Sequence, residues 1–384
     1  MKIKILIFLP LICFLSSCGR HNTGNNDGPE IIDIKKAFEK PLQVKISDIA
    51  KDFKYIALES NDYNLIGSNY IVYAVNQYLI SIDRSNIFLF SRENGKFIRT
   101  IGKPGKGPDE YSRPYTKMPF DEEKRTVHAE KNKERFEYDL QGNLKAIKEG
   151  PDQVYDFINI NDSTYASFID NYMGDERNKI IIFDNNDSVI KIYPNYQSFP
   201  FKGSVTVYRT NSWFYRLNRQ TYFCEKFNDT LFLLTSESLI PKFVFSKGIY
   251  TFPYELRGSI NDMENKYFLT ENILESSKYL FYTFRLTDQI YTALYDKEKK
   301  TVRVNDYIGK SGKGYINNVN DFVPLELSSI NEKGELVCTI DAFRIKQWFE
   351  DNPEKTEKLP EYMSLLKEIT ESENPVVMIS SLNE

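Results

Sequence analysis

Histidine is nearly missing from this chain: among 384 residues only His21 and His128 carry an imidazole. Neutral imidazole is the commonest nitrogen ligand of zinc and related metals, so a site built from several histidines is excluded by inventory. A Ser-His-Asp arrangement would have only His128 to draw on, and no Gly-x-Ser-x-Gly elbow accompanies it. His128 therefore reads as a strand-surface side chain. Cysteine is scarce as well. Cys13 and Cys18 lie near the N-terminus, which leaves Cys224 and Cys338 far apart in the body. Two such thiols make no disulfide framework and read as buried free thiols. They also leave too few N and S ligands for a transition-metal site. Positive charge is not in excess. The net charge is −4, and loss of a leader carrying Lys2 and Lys4 takes it to −6. That gives no electrostatic footprint for nucleic acid.

Tyrosine and phenylalanine are abundant, at 26 and 27 against 2 tryptophans. Both favour strands, so the composition leans towards β structure. With 41% hydrophobic and 27% charged residues the balance is that of a globular protein.

One apolar run stands apart, at the start of the chain. Lys2 and Lys4 precede Ile5 to Leu15, which is too short to span a bilayer as a helix and has the layout of a secretory signal. Leu15-Ser16-Ser17-Cys18 resembles the bacterial lipobox. The resemblance implies cleavage after Ser17, an acylated Cys18 as the new N-terminus, and a membrane partner reached through that lipid. Residues 18–40 are expected to form a flexible tether, on the strength of the Asn- and Gly-rich stretch Gly19 to Gly28. A domain over residues 41–384 follows.

Within the domain, short strands alternate with turn signals. Phe53 to Leu58 alternates faces. Tyr70 to Val75, Tyr78 to Asp83, Ile87 to Ser91 and Phe97 to Ile101 then make a four-stranded meander. Asn94-Gly95 marks one hairpin, with the preference of a type I′ turn for positive φ at both positions. The punctuation recurs every 40–50 residues or so, the period of propeller blades. A second group covers residues 126–147 and a third 154–193. A fourth covers Ser204 to Leu234 and a fifth Tyr279 to Asn305. The sixth is diffuse. Two amphipathic helices interrupt it, at Asp341 to Glu350 and Pro360 to Thr370, and are expected to cap the domain. The first should present Phe343, Ile345 and Phe349. Pro375 to Ser381 returns as a strand and should close the ring against Val44 to Leu58.

The segment Tyr78 to Tyr111 resembles an NHL-type propeller repeat. More broadly the chain resembles the six-bladed β-propeller lipoproteins of Bacteroidetes. Phe53 to Glu59, Leu65-Ile66-Gly67-Ser68, Gly102 to Tyr111, Phe227 to Phe232 and Asn374 to Ile379 carry that likeness. It implies an all-β fold of six four-stranded antiparallel blades, with short helices inserted in the last. Gly19 rather than Asp directly after Cys18 resembles outer-membrane sorting, which implies an outer-membrane location on either face.

Signals for chemistry are few. The Gly-rich loop Gly102 to Gly107 lacks the Gly-Lys-Ser/Thr ending of a P-loop and reads as a blade-connecting turn. Asp83, Asp109, Glu110, Asp156, Asp170, Asp175, Asp184 and Asp187 are carboxylates that could serve an oxygen-only Ca²⁺ site. Most fall at turns, where Asp caps its own backbone. No cofactor is expected beyond this open Ca²⁺ question. The polar-aromatic strand Trp213-Phe214-Tyr215-Arg216-Leu217-Asn218-Arg219 supplies the candidate ligand-binding residues Trp213, Tyr215, Arg216 and Arg219, suited to a sugar or peptide. The expected function is a non-catalytic, outer-membrane-anchored module. It would bind a small molecule, glycan or protein, in connection with glycan or peptide uptake. The alternative is a Ca²⁺-dependent propeller hydrolase or lyase.

Overall fold

In a computed structural model of the protein, residues 28–115, 119–151, 157–202, 211–262, 266–305 and 314–383 are described. Cys18 and the leader lie outside them, as do Asp156 and the expected strand 204–208. Six antiparallel sheets follow one another around a ring. Blade one is built from Ile71–Val75, Tyr78–Ile82, Ile87–Ser91 and Phe97–Thr100. Its strand Ile87–Ser91 is buried at four consecutive positions. Both faces of a blade are covered by its neighbours, so the strand reads as an unbroken apolar run rather than an alternation. Asn94-Gly95 does turn the chain, but only Gly95 has positive φ, at +73°. The Gly95 N–H donates to the Ser91 carbonyl across a longer loop than type I′ allows.

Blade two has its inner position divided between Arg113–Pro114 and Phe120–Asp121, both paired with Thr126–Lys131, and continues through Glu134–Asp139 and Leu144–Glu149. Pro114 cannot donate to a ladder, which keeps these pieces short. Blade three runs Ile158–Asn159, Thr164–Phe168, Asn178–Asp184 and Val189–Pro194. Blade four is Ser212–Leu217, Gln220–Glu225, Thr230–Leu234 and Leu239–Ser246. The fourth group read from the sequence is thus displaced, with Ser212–Leu217 innermost and Leu239–Ser246, broken by Pro241, as the unread last strand. Blade five adds the unread Leu269–Glu275 inside Tyr279–Leu286, Gln289–Asp296 and Thr301–Val304.

Blade six joins the two ends of the chain. Glu326–Ile330, Glu335–Ile340 and Val376–Leu382 come from the C-terminal part, and Ala50–Ala57 supplies the outer strand. Ala57 pairs with Val376 and Ile56 with Val377, so the ring closes between the expected segments. The helices Ala342–Asp351, Pro353–Thr356 and Glu361–Ser364 sit between the second and third strands of this blade. They pack Ala342, Ile345, Phe349 and Met363 into the core shared with blade five. Phe343 is not on that face; it is 54% exposed, one position beyond Ala342, which takes the buried place.

The tether expected over 18–40 is overturned from Glu30 onward. Glu30–Asp33 forms a strand parallel to Leu239–Ser246 and widens blade four to five strands. The helix Ile34–Glu39 follows, with the Asp33 carboxylate accepting from the Lys36 N–H at 3.0 Å as its cap. The polar composition that argues for a tether ends at Gly28; Ile32 and Ile34 beyond it are fully buried. His128 is also corrected. It is 3% exposed, and its ring stands edge-on to Tyr115. Both faces of its strand are covered by adjoining blades, which leaves no solvent face. Cys224 and Cys338 are buried free thiols, and burial raises the pKa of each.

Candidate functional site

In each blade the innermost strand pairs on one side only. Its free edge, with one row of backbone N–H and C=O groups, faces the axis of the ring. An unpaired edge is normally a liability, but enclosure in a channel protects it. The axis holds a cavity of about 500 Å³. Blade one contributes Ile71 and Tyr73, blade two Phe120, blade four Ser212 to Arg216, blade five Glu271 to Leu274 and blade six Ser329 and Ile330.

Three of the four residues singled out in the sequence, Trp213, Tyr215 and Arg216, line this cavity. The alternation of the strand sends its two faces to different neighbours. Tyr215 donates its hydroxyl to Glu275 of blade five, and burial together with that carboxylate raises its pKa well above the usual value. Arg216 goes the other way, donating to the Ile160 carbonyl at 3.0 Å and to Glu123 at 3.0 Å. Arg219 is not brought in. It lies in the turn after the strand, with its side chain 89% exposed and 4.0 Å from Glu123.

The two mouths differ. Where the inner strands begin, the Lys226 ammonium is 2% exposed and donates to the Thr270 carbonyl at 2.8 Å and to Glu271 at 3.2 Å. It also lies 5.6 Å over the Trp213 ring. Tyr70 at this end donates to Asp341 at 2.6 Å. Where the inner strands end, carboxylates gather: Glu122, Glu123 and Glu332. Glu122 reaches from blade two to blade six and accepts the Glu332 N–H at 3.1 Å. Burial, with Glu332 and Glu335 nearby, pushes its pKa up to about 7. Tyr73, Ser212, Asn272 and Glu122 are wall residues that the sequence did not reveal. Tyr73 lies in a segment that reads as plain core strand and Ser212 adjoins the polar-aromatic strand, whereas the segments of Glu122 and Asn272 carry no reading.

Of the carboxylates considered for Ca²⁺, Asp83, Asp184, Asp170 and Glu110 have partners within the protein. Asp83 accepts from the N–H groups of Gly67, Ser85 and Asn86 at 2.7 Å each. Asp184 accepts from Asn186 and Ser188, and Asp170 pairs with the buried Arg257. Among the described residues no three His, Cys, Asp or Glu side chains converge as a metal site would require. The Gly-rich loop carries its own anion. The Glu110 carboxylate accepts from the Gly107 N–H at 2.8 Å and pairs with Lys103 at 2.6 Å. A Cβ at Gly105 would collide with that carboxylate. The space a phosphate would occupy is therefore filled from within.

Among the described residues no helix is long and apolar enough to cross a membrane. The fold is similar to the crystal structure of a candidate exported protein from Bacteroides fragilis, with a TM-score of 0.68 and 17% identity over 93% of this chain and 99% of that one. No curated protein matches. Residues 29–381 match the family described as Domain of unknown function (DUF4934), and the chain belongs to that family.

Proposed function

We propose that this protein is a non-catalytic binding module of the cell envelope whose central channel holds the ligand. The observation that carries this reading is the cavity of about 500 Å³ walled by Trp213, Tyr215 and Arg216 on a rigid ring of inner strands. Ligand pockets fall mostly within roughly 300–1,000 Å³ and combine apolar walls with a few polar groups. A glycan or peptide fragment would use the aromatic wall for its apolar face and the polar groups for orientation. Cys18 would carry the lipid that holds the module in the outer membrane, as its lipobox-like setting implies. Glu30 begins the strand at the outer rim of blade four, so an anchor joined there would leave both channel mouths open.

Two experiments test this. Immobilised protein is exposed to a pool of glycan and peptide fragments, and the retained species are identified by mass. Wild type should retain ligand and Trp213→Ala should not; equal retention would place binding outside the channel. Cells fed an alkyne fatty acid should label the wild type and not Cys18→Ala. A labelled variant that still pellets with membranes would remove the anchor assignment.

A further inference from the structure

The chemistry of the channel wall narrows the ligand, given the reading that the channel is the binding site. All of its charged groups but the Glu332 carboxylate have protein partners among the described residues. Arg216 holds Glu123 and the Ile160 carbonyl, Lys226 holds Glu271 and the Thr270 carbonyl, and Glu122 accepts the Glu332 N–H. A different set of wall groups has no hydrogen-bond partner among the described residues. Ser212 Oγ is buried, on a residue 1% exposed, and makes no bond; nor does Arg216 Nε. The Tyr73 hydroxyl, the Trp213 indole N–H and the Asn272 amide NH₂, whose Oδ1 already accepts the Ile273 N–H at 2.9 Å, line the same cavity and are likewise unpartnered. All five are donors, and four of them are uncharged. A buried donor left unmade is costly, so this wall is organised to be completed by something that accepts.

An anion would use the donors but meets the wrong field. The lining carboxylates Glu122, Glu123, Glu271 and Glu332 outnumber the cations Arg216 and Lys226, and a low-dielectric cleft focuses that excess. A cation meets the opposite problem, because Glu123 and Glu271 are already paired with Arg216 and Lys226, Glu122 holds a backbone N–H, and the buried unpartnered groups of the wall are donors. A short peptide carries both charges at its termini. The remaining class is neutral, rich in oxygen acceptors, and has an apolar face to lay on the rings of Trp213, Phe214 and Tyr73. We propose that the channel takes an uncharged mono- or disaccharide.

Trp348 packs against Phe322 and Phe349, with ring centroids 4.7 and 5.3 Å away, in the helical insertion and outside the channel lining. In a Trp348→Phe background Trp213 is therefore the sole indole reporter. This protein is titrated with a broad panel of neutral mono- and disaccharides, with glucosamine and glucuronic acid, and with dipeptides. Neutral sugars should shift Trp213 emission, and their charged counterparts should bind about tenfold more weakly or worse. Ser212→Ala and Tyr73→Phe each delete one unpartnered hydroxyl. Each should lower sugar affinity by roughly fivefold to tenfold while the melting temperature of the free protein stays level or rises. Charged sugars or dipeptides binding as tightly through the same Trp213 signal would overturn the saccharide assignment and leave the channel as the site. A panel in which no neutral sugar binds would overturn it too. Sugar binding that neither moves Trp213 emission nor responds to Ser212→Ala would overturn the channel reading itself.

Discussion

Glu122 shows how much one side chain can reveal about the channel. Its pKa is raised to about 7, chiefly by burial, with Glu332 and Glu335 adding repulsion. A carboxyl whose folded pKa exceeds its unfolded one favours the folded state when protonated. That contribution is complete below the ordinary carboxyl value and is lost as pH rises to 7. Glu122→Gln keeps the shape and removes the charge, so it should flatten the stability profile between roughly pH 5 and 7. At pH 8 it should stabilise the protein by about 1 kcal/mol, a figure discounted for partial solvent screening. Urea melts at pH 5 and pH 8 measure this; equal gains at both would show that the charge is not responsible. Legibility at this scale followed chemistry. Trp213, Tyr215 and Arg216 stood out because polar and aromatic types rarely alternate so densely, whereas Tyr73 sits in YIVYAV, indistinguishable from core. The placement of Arg219 depended on where the strand ends, which Asn218 and Arg219 decide by adopting positive φ of 51° and 61°. His128 was misread because exposure follows from neighbouring blades, and those lie far away in the sequence.

Among the elements, the helix Ile34–Glu39 is the least expected. It is only six residues long, too short to persist without tertiary contacts. Phe38 provides them. Its ring meets Phe268 at 4.9 Å, Tyr291 at 5.1 Å and Tyr250 at 5.5 Å, all edge-on, which joins the helix to blade five. The preceding strand is held by Glu30, which pairs with Lys300 at 2.7 Å and accepts from the Tyr295 hydroxyl. Phe38→Ala should therefore cost about 2–3 kcal/mol and release the N-terminal strand from blade four. Hydrogen exchange would show Ile31 to Asp33 losing protection together with the outer strand of that blade. Unchanged protection there would mean that Glu30 holds the strand without the helix. Elements of ordinary length and composition, such as the strands of blades one and three, were legible from turn chemistry alone. Those broken by proline, Arg113–Pro114 and Leu239–Ser246, were not, because the ladder tolerates at an edge, as at Pro114, or at a bulge, as at Pro241, what the local pattern reads as an interruption.

For the whole molecule, the decisive contact joins residues from opposite ends of the chain. Lys51 lies opposite Ser381 in the register that closes blade six, and neither side chain belongs to the buried core. The sixth blade was diffuse in the sequence for the same reason: its strands are separated by nearly the whole chain and by a helical insertion. Closure costs loop entropy, and that cost is offset only when the ring is complete. A disulfide introduced with Lys51→Cys and Ser381→Cys would remove most of it from the unfolded state. Cross-strand neighbours of this kind approach closely enough at Cβ for a bridge, and the native thiols Cys224 and Cys338 are buried and cannot compete. Oxidised protein should gain about 3–5 kcal/mol against urea, and reduction should return it to the wild-type midpoint. If ring closure is what makes the domain cooperative, the gain appears as a single shifted transition. A gain confined to the last blade, with the other five melting at the old midpoint, would show that the blades unfold independently and that closure stabilises only its own sheet.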